Sequence, residues 1–470
     1  MPGWRWMSPR VGDRQHRDSR LVQHRSEVAA GILAHARRLR WSAAQIETER
    51  QRALRALLAF AVGHSPFHAD RLAGTDPVDF TEAQLPSLPV MTKKQMMAGF
   101  DGVVADRRLT IDLITRHLAS VDEGGDDYLF DRYRVIASSG SSGIQGCYAY
   151  DWHEWTMLGL MASRSRLTMA DGSPRPPGSA TVNLLGSGAT TLSSAMSSFL
   201  APPDDPFIHL PMSTAVPELV DVLNAVRPMV VQAYPTALDL LIQQATCDRL
   251  HIAPRYVESG GELLTERTRA DVREVWGAEI DDCWGLSEGI YAFSCPAGGG
   301  MHLPDDLVIV EPVDIDGIPV PPGTPAAKVY ITNLYNHTQP LIRFEVADAL
   351  TVFEGPCACG SAHRRIDALT GRNDLVFEYG SEIRMYPMVL GLALDAERGL
   401  VEYQVQQTQR GVLIRAVVEP DFGTRRLSDR VESALRDVGL ADPEVSVKLV
   451  DHIDRLPSGK LRQFVATAEA

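Results

Sequence analysis

Lysine is nearly absent from this chain of 470 residues: Lys93, Lys94, Lys328, Lys448 and Lys460 are the only ones. Basic charge as a whole is short, with 46 Lys and Arg against 60 Asp and Glu and a formal net charge of −14. That balance gives no electrostatic footprint for a phosphate backbone, so no nucleic-acid partner is expected. Cys147, Cys247, Cys283, Cys295, Cys357 and Cys359 are too few and too scattered for a disulfide scaffold, which leaves reduced thiols or a metal site. No apolar run reaches the roughly 18 residues of a membrane span. The N-terminus also lacks the apolar core and small-residue cleavage site of a secretory signal. No membrane partner is expected, and the expected compartment is the cytoplasm.

A chain this long exceeds what one hydrophobic core serves, so two or more domains are expected. Arg5, Arg10, Arg14, Arg17, Arg20, Arg25, Arg37, Arg38 and Arg40 crowd the first 41 residues with few acids. This is the composition of a transit peptide or a loose basic tail, and residues 1–50 are expected to be a tail or upstream extension. From residue 27 to residue 72, apolar residues recur at three- and four-residue steps, which predicts helices on the outside of a larger body.

Short apolar runs then alternate with helical stretches. The segments 133-YRVIA, 181-TVNLLGSG, 227-RPMVVQAYP and 328-KVYITNL read as strands, and 266-ERTRADVREVW as a helix capped by Thr265 and closed by Gly277. The texture is that of a large multi-layer α/β domain over residues 51–371, with ligands at the C-terminal ends of its strands. Beyond Gly371, 401-VEYQVQ, 411-GVLIRAVVE and 445-VSVKLV read as strands and 427-LSDRVESALRDV as a helix capped by Ser428. Residues 372–470 are thus expected to form a small α+β domain.

The stretch 137-ASSGSSGIQG-146 follows an apolar strand and has two readings. It is a flexible loop, or a nest in which the backbone and hydroxyls of Ser138, Ser139, Gly140, Ser141, Ser142 and Gly143 cradle phosphate oxygens. No lysine follows Gly143, which disfavours a P-loop nucleotide hydrolase or kinase.

Other segments bear on the choice. The run 282-DCWGLSEG puts an aromatic, a glycine, a hydroxyl and a carboxylate in a short span, and 258-ESGGE puts a glycine pair after a strand. Downstream, 340-PLIRFEVAD ends in Asp348, 371-GRND marks the domain change, and 456-LPSGK carries Lys460. In this order, these segments resemble the adenylate-forming enzymes, specifically the phenylacetate–coenzyme A ligase branch, over about residues 60 to 465. The lead-in 64-HSPFHADRL and 88-LPVMTKKQM is similar to that branch as well. The resemblance implies a large N-terminal adenylation domain and a mobile C-terminal lid. It implies activation of a carboxylic acid by ATP with release of pyrophosphate, then transfer of the acyl group to coenzyme A.

The roles implied by the resemblance fall on named positions. Ser138 to Gly143 would hold phosphates; Trp284 would stack on adenine, where relatives more often carry tyrosine. Gly260, Gly261 and Glu262 would line the adenine and acyl pocket, with Asp282, Gly285 and Arg372 also in the ATP site. Ser287 would touch phosphate, Glu288 would help hold Mg²⁺, and Asp348 would take the ribose hydroxyls. Lys460 would neutralise charge between carboxylate and α-phosphate, and Asp374 would be the hinge, although the second acidic residue usual there is Leu375. Tyr234 and Tyr291 would contribute to the acyl pocket, which makes an aromatic or hydrophobic acid the expectation. An amine, a carrier-protein thiol or a small inorganic nucleophile stands as the alternative acceptor, and a homodimer is left open.

Cys357 and Cys359 form a tight thiolate pair, and Cys295 lies seven positions before His302. Three cysteines and one histidine suit tetrahedral, closed, structural zinc, with reduced thiols as the alternative and His363 as a reserve ligand. The resemblance points the same way, since some relatives carry a comparable cluster.

Overall fold

From Arg20 onward, side chains of the Arg-rich beginning bond to the large body, so residues 20–40 are packed on it and are not a loose tail. In the computed structural model a helix spans Val11–Arg37 and a second, with Ser42 and Gln45 forming a capping box, spans Ala43–His64. Arg20 bonds to Asp126 and Asp131, and Arg25 donates to the Phe199 carbonyl at 2.9 Å. The His24 ring is buried, stacked 3.9 Å from Trp152 and bonded to the Tyr128 hydroxyl at 2.8 Å. These arginines are spent on fixed carboxylates and carbonyls, a use that composition cannot distinguish from a solvated tail. The structure describes residues 11–138, 145–168, 178–185, 188–201, 205–211, 214–367, 371–372, 377–380, 383–385, 390, 394, 397, 399–419, 422–455 and 461–466.

An eight-stranded sheet organises the large body. Its strands in chain order are β1 (Thr181–Leu184), β2 (Phe207–His209), β3 (Val230–Ala233), β4 (Tyr256–Gly260), β5 (Ile280–Leu286), β6 (Ile290–Ser294), β7 (Met301–His302) and β8 (Arg365–Ile366). In space they run β8-β7-β6-β5-β4-β3-β1-β2, parallel from β2 to β5 and antiparallel from β5 to β8. The helices Leu192–Leu200, Val216–Val226, Pro235–Thr246 and Glu266–Trp276 lie between the parallel strands in sequence. The last helix is capped by Thr265 and closed by Gly277 in the left-handed conformation (φ 66°), as its sequence predicts. One core packs β1, β3 and β4 against the helices Val216–Val226 and Pro235–Thr246 through residues such as Val182, Val231, Val257, Leu223 and Leu241.

The C-terminal unit has a separate core that includes Phe377, Val405, Ile414, Leu427, Val431 and Leu435. Its four strands are ordered Glu444–Leu449, Gly411–Val418, Leu400–Gln407, Phe464–Val465, with the helix Thr424–Asp437 packed on them. That helix begins three residues before the predicted stretch, with Gly423 as its N-cap, so Ser428 sits inside it. Leu427, Val431 and Leu435 make one buried stripe that starts in the first turn, and burial of the stripe sets the start rather than the serine. The whole is α/β with a small α+β unit at its C-terminus. Among the described residues no helix is long and apolar enough to cross a membrane.

Candidate active site and metal centre

Alternation along β5 divides 282-DCWGLSEG between the two faces of the sheet. Asp282 and Trp284 point to one face and are buried; Cys283 and Gly285 point to the other and stay partly exposed. Trp284 is only 2 % exposed, and its indole N–H donates to Asp348 Oδ2 at 2.7 Å. Two residues predicted for the nucleoside site therefore meet. The expected bare stacking face does not exist in this structure, because the ring is packed into the main core. Asp348 pairs in register with Arg372 on the neighbouring strand. Burial raises the Asp282 carboxyl to about 7, while Arg269, with a guanidinium nitrogen 3.4 Å away, pulls it down.

Glu288 is buried and takes a hydrogen bond from the Tyr148 hydroxyl at 2.5 Å on Oε1. Lys93 Nζ lies 3.6 Å from the same oxygen. The backbone of Ser287 accepts from the Tyr150 hydroxyl at 2.5 Å, so the strand Cys147–Tyr150 clamps this turn at two points. Lys93 opens the helix Lys93–Ala98, whose Met97 Sδ accepts from Cys147 N–H at 3.4 Å, just past the Ser/Gly loop. The loop itself is closed at its base, where Ser138 and Gly146 exchange two bonds of 2.8 Å. Ser139, Gly140, Ser141, Ser142 and Gly143 fall outside the described residues, as do Asp374 and Lys460. Sequence reasoning missed Lys93, and its signal was present: it is one of very few lysines in the chain, within 88-LPVMTKKQM.

The loop 258-ESGGE is held from the C-terminal unit. Glu262 Oε1 accepts from Leu461 N–H at 2.9 Å, and Glu262 Oε2 accepts from the Thr236 hydroxyl at 2.8 Å. Arg455 in turn donates to the same hydroxyl at 2.9 Å and pairs with Glu402. The residue after Lys460 is thus anchored on the glycine pair. Gly260 allows close approach, since a Cβ there would come within 2.7 Å of the Cys283 carbonyl and Sγ, and Gly261 holds φ 79°. Tyr234 is buried at the start of the helix Pro235–Thr246, and Tyr291 lies partly exposed beside Gly285.

At the other end of the sheet, one donor atom each from Cys295, His302, Cys357 and Cys359 lie within 4.8 Å of one another. Cys295 Sγ is 3.3 Å from Cys357 Sγ, and His302 Nε2 is 3.2 Å from Cys359 Sγ. Zinc–sulfur bonds of about 2.3 Å place ligand atoms roughly 3.7 Å apart, so this set fits a tetrahedral ion. His302 Nδ1–H faces the His363 carbonyl at 3.0 Å, which fixes the tautomer that leaves Nε2 for the metal. His363 is not the reserve ligand: its ring packs toward the Arg38 carbonyl at 3.2 Å, and its backbone orients His302.

No family model matches the chain. It is 26 % identical over 425 residues to the phenylacetate–coenzyme A ligase of Thermus thermophilus, covering 85 % of this chain and 88 % of that protein. Among solved structures, 2-hydroxyisobutyryl-CoA ligase in its postadenylation state with R3-HIB-AMP superposes with a TM-score of 0.70 over 92 % of both chains, at 18 % identity. The same ligase in its thioesterification state, with 2-HIB-AMP and CoA, gives 0.56 over 92 % of this chain and 91 % of that one, also at 18 % identity. The chain is a sequence homologue of phenylacetate–coenzyme A ligase built on the fold of the adenylate-forming coenzyme A ligases.

Proposed function

We propose that this protein is an AMP-forming acid–coenzyme A ligase. It joins an aromatic or otherwise hydrophobic carboxylic acid to ATP, releases pyrophosphate and hands the acyl group from the adenylate to the thiol of coenzyme A. The observation that carries this reading is the bond from Leu461 N–H to Glu262, which brings the residue after Lys460 onto 258-ESGGE. Two motifs with |i−j| = 199 are thereby in contact, which supports their sharing one site.

The first step opposes two anions, the acid's carboxylate and the α-phosphate, so positive charge placed in advance lowers the barrier. Lys460 is assigned that role on the returning C-terminal unit. Lys93 supplies a second ammonium on the Ser138 side, which answers the lack of any lysine in the loop. Among the described residues both side-chain contacts of Glu288 use Oε1. Its other oxygen would hold Mg²⁺, which shields phosphate charge when bound. Trp284 and Asp348 would mark the nucleoside end, with Gly260 and Gly261 giving the backbone close approach. Ser139 to Gly143 and Arg372 are assigned to the phosphates, and Asp374 to the hinge between residues 51–371 and 372–470.

A screen of aromatic acids for pyrophosphate release, run with and without coenzyme A, tests the assignment. Acid-dependent release, with thioester formed only when coenzyme A is present, is the expected result. Absence of release with every acid would refute adenylation, and release without thioester would refute the acceptor. Cys295, His302, Cys357 and Cys359 are proposed as ligands of structural zinc, with no open position for catalysis. Metal analysis of the purified protein should find about one zinc per chain, and a content far below that removes the assignment.

A further inference from the structure

Among the described residues the C-terminal unit is joined to the large body by polar contacts and shares no apolar core with it. Its cluster draws only on residues from Phe377 onward, and the clusters of the large body reach no further than Ile366. A join of this kind docks and releases without exposing a large apolar surface. Directed hydrogen bonds must therefore set its position.

Those bonds converge on the first turn of the helix Pro235–Thr246. The Thr236 N–H, in a turn whose amides have no partner within the helix, donates to Glu262 Oε2 at 3.2 Å, and the Thr236 hydroxyl donates to the same oxygen at 2.8 Å. A carboxylate also suits the positive end of a helix. Glu262 is thereby oriented from within the large body, and its Oε1 accepts the Leu461 N–H at 2.9 Å. A threonine hydroxyl has one hydrogen, so donation to Glu262 leaves it only as an acceptor, and Arg455 Nη1 donates to it at 2.9 Å. Arg455 is itself paired with Glu402 inside the C-terminal unit. Farther along the join, Arg267 Nη1 donates to the Leu400 carbonyl at 3.2 Å.

Arg455 and Leu461 are also partners in an antiparallel bridge. Both residues that flank 456-LPSGK-460 are thus fixed to each other and to one turn of the large body. Lys460 is joined to Leu461 through the planar peptide group whose N–H Glu262 holds. Thr236 reaches both anchors, one through Glu262 and the other directly. Capping the helix needs Glu262 alone, whereas the bond from Arg455 exists only when the two units are docked.

We infer that Thr236 is a positioning residue for adenylate formation: its hydroxyl latches Glu262 and Arg455 together and so sets where the C-terminal unit presents Lys460. The inference rests on the ligase reading above and on the role assigned there to Lys460. It confines the effect to the step in which carboxylate and α-phosphate are both anionic, because that repulsion is gone once the adenylate exists.

The test follows the two steps separately in wild type, Thr236→Val, Thr236→Ser and Lys460→Ala, and in Thr236→Val combined with Lys460→Ala. Pyrophosphate release from ATP and phenylacetic acid, or the most active acid of the aromatic panel, reads the first step. Thioester formation from the synthetic adenylate of that acid and coenzyme A reads the second. Thr236→Val should lower kcat of the first step by on the order of 10- to 100-fold, the scale of a displacement of about 1 Å, with the KM for ATP within about twofold. Thr236→Ser, which keeps the hydroxyl, should recover most of that loss. The second step should change by less than about threefold. With Lys460→Ala already present, Thr236→Val should lower release by less than about twofold more, because the group it positions is gone. The Leu461 amide should exchange its hydrogen faster in Thr236→Val than in wild type.

A first step unchanged in Thr236→Val overturns the inference. So do equal losses in both steps, a loss that persists in full on Lys460→Ala, or a Leu461 amide as protected as in wild type. If Thr236→Val does not fold, Arg455→Lys decides by the same readouts, since a single ammonium keeps charge beside Glu402 but cannot hold Glu402 and Thr236 together as the guanidinium fork does. No release by wild type from any acid fails the ligase reading itself, and the inference with it.

Discussion

At the β7–β8 edge of the sheet charge is buried and paired within the large body, whereas past the C-terminal ends of β3 and β4 it bridges to the C-terminal unit. Asp306, just past β7, is bound by both terminal nitrogens of Arg164 at 2.7 and 2.6 Å, with neither side chain exposed, and by Arg38 at 3.0 Å. Burial alone would raise the Asp306 carboxyl, but Arg164 and then Arg38 hold it well below the usual range. The loop 357–363 adds Cys357 and Cys359 to Cys295 and His302 and reaches the N-terminal extension through His363 and Arg38. One end of the sheet is thus stapled to the extension. Past β3 and β4 the body is instead joined to the C-terminal unit, where Leu461 and Arg455 bind Glu262 and Thr236. Contacts that hold the large body together and contacts that reach the C-terminal unit are thus separated along the same sheet.

Removing one partner at the stapled edge should have the largest effect. Arg164→Ala leaves Asp306 buried with half its partners and should cost about 3–5 kcal/mol, read in denaturant melts. A loss within about 0.5 kcal/mol would mean that the site relaxes like a surface and would break the contrast. Next in size, Lys460→Ala should lower adenylate formation by on the order of 10²–10³-fold with ATP binding and melting unchanged. Unchanged turnover would refute its assigned role.

Acid should loosen the docked extension. Burial lowers the His24 pKa from 6.5 to about 4, so between these limits the unfolded chain binds more protons than the folded one. The stabilisation from its neutral ring is complete above about pH 6.5 and disappears as the pH falls toward 4, by up to about 3 kcal/mol. Melts across this range should show a smaller pH slope in His24→Asn, and an equal slope would assign the effect elsewhere. The smallest change is expected from Lys93→Met, which removes one charged contact beside Glu288. It should raise the KM for ATP by about tenfold with melting unaltered, and Lys93→Arg should recover part of that. An unchanged KM would leave the Ser/Gly loop without its proposed cation.

Local signals were legible where a residue acts through its own backbone or through neighbours in sequence. The Thr265 cap, the Gly277 stop and the strand 133-YRVIA appear where they were expected. The Cys and His cluster was readable because thiolate and imidazole in close spacing stand out in sequence, and β7 and β8 then bring the two loops together. Trp284 could be placed in the site but not described, since whether an indole lies bare or sealed depends on what packs over it. The Arg-rich extension was misjudged for the same reason: its carboxylate and carbonyl partners lie about 100 or more residues away, at |i−j| of 106, 111 and 174.

By itself the sequence determined the α/β pattern, the order of the motifs, the identity of the Cys and His cluster and the shortage of lysine that makes Lys93 and Lys460 stand out. These depend on residue type and near spacing, which chain connectivity preserves. Tertiary structure alone decided that Trp284 turns to Asp348, that Leu461 reaches Glu262, and that five polar residues from separate strands line up on one face of the sheet. Strand register and packing set those contacts, and a shift of one residue would send each side chain to the opposite face.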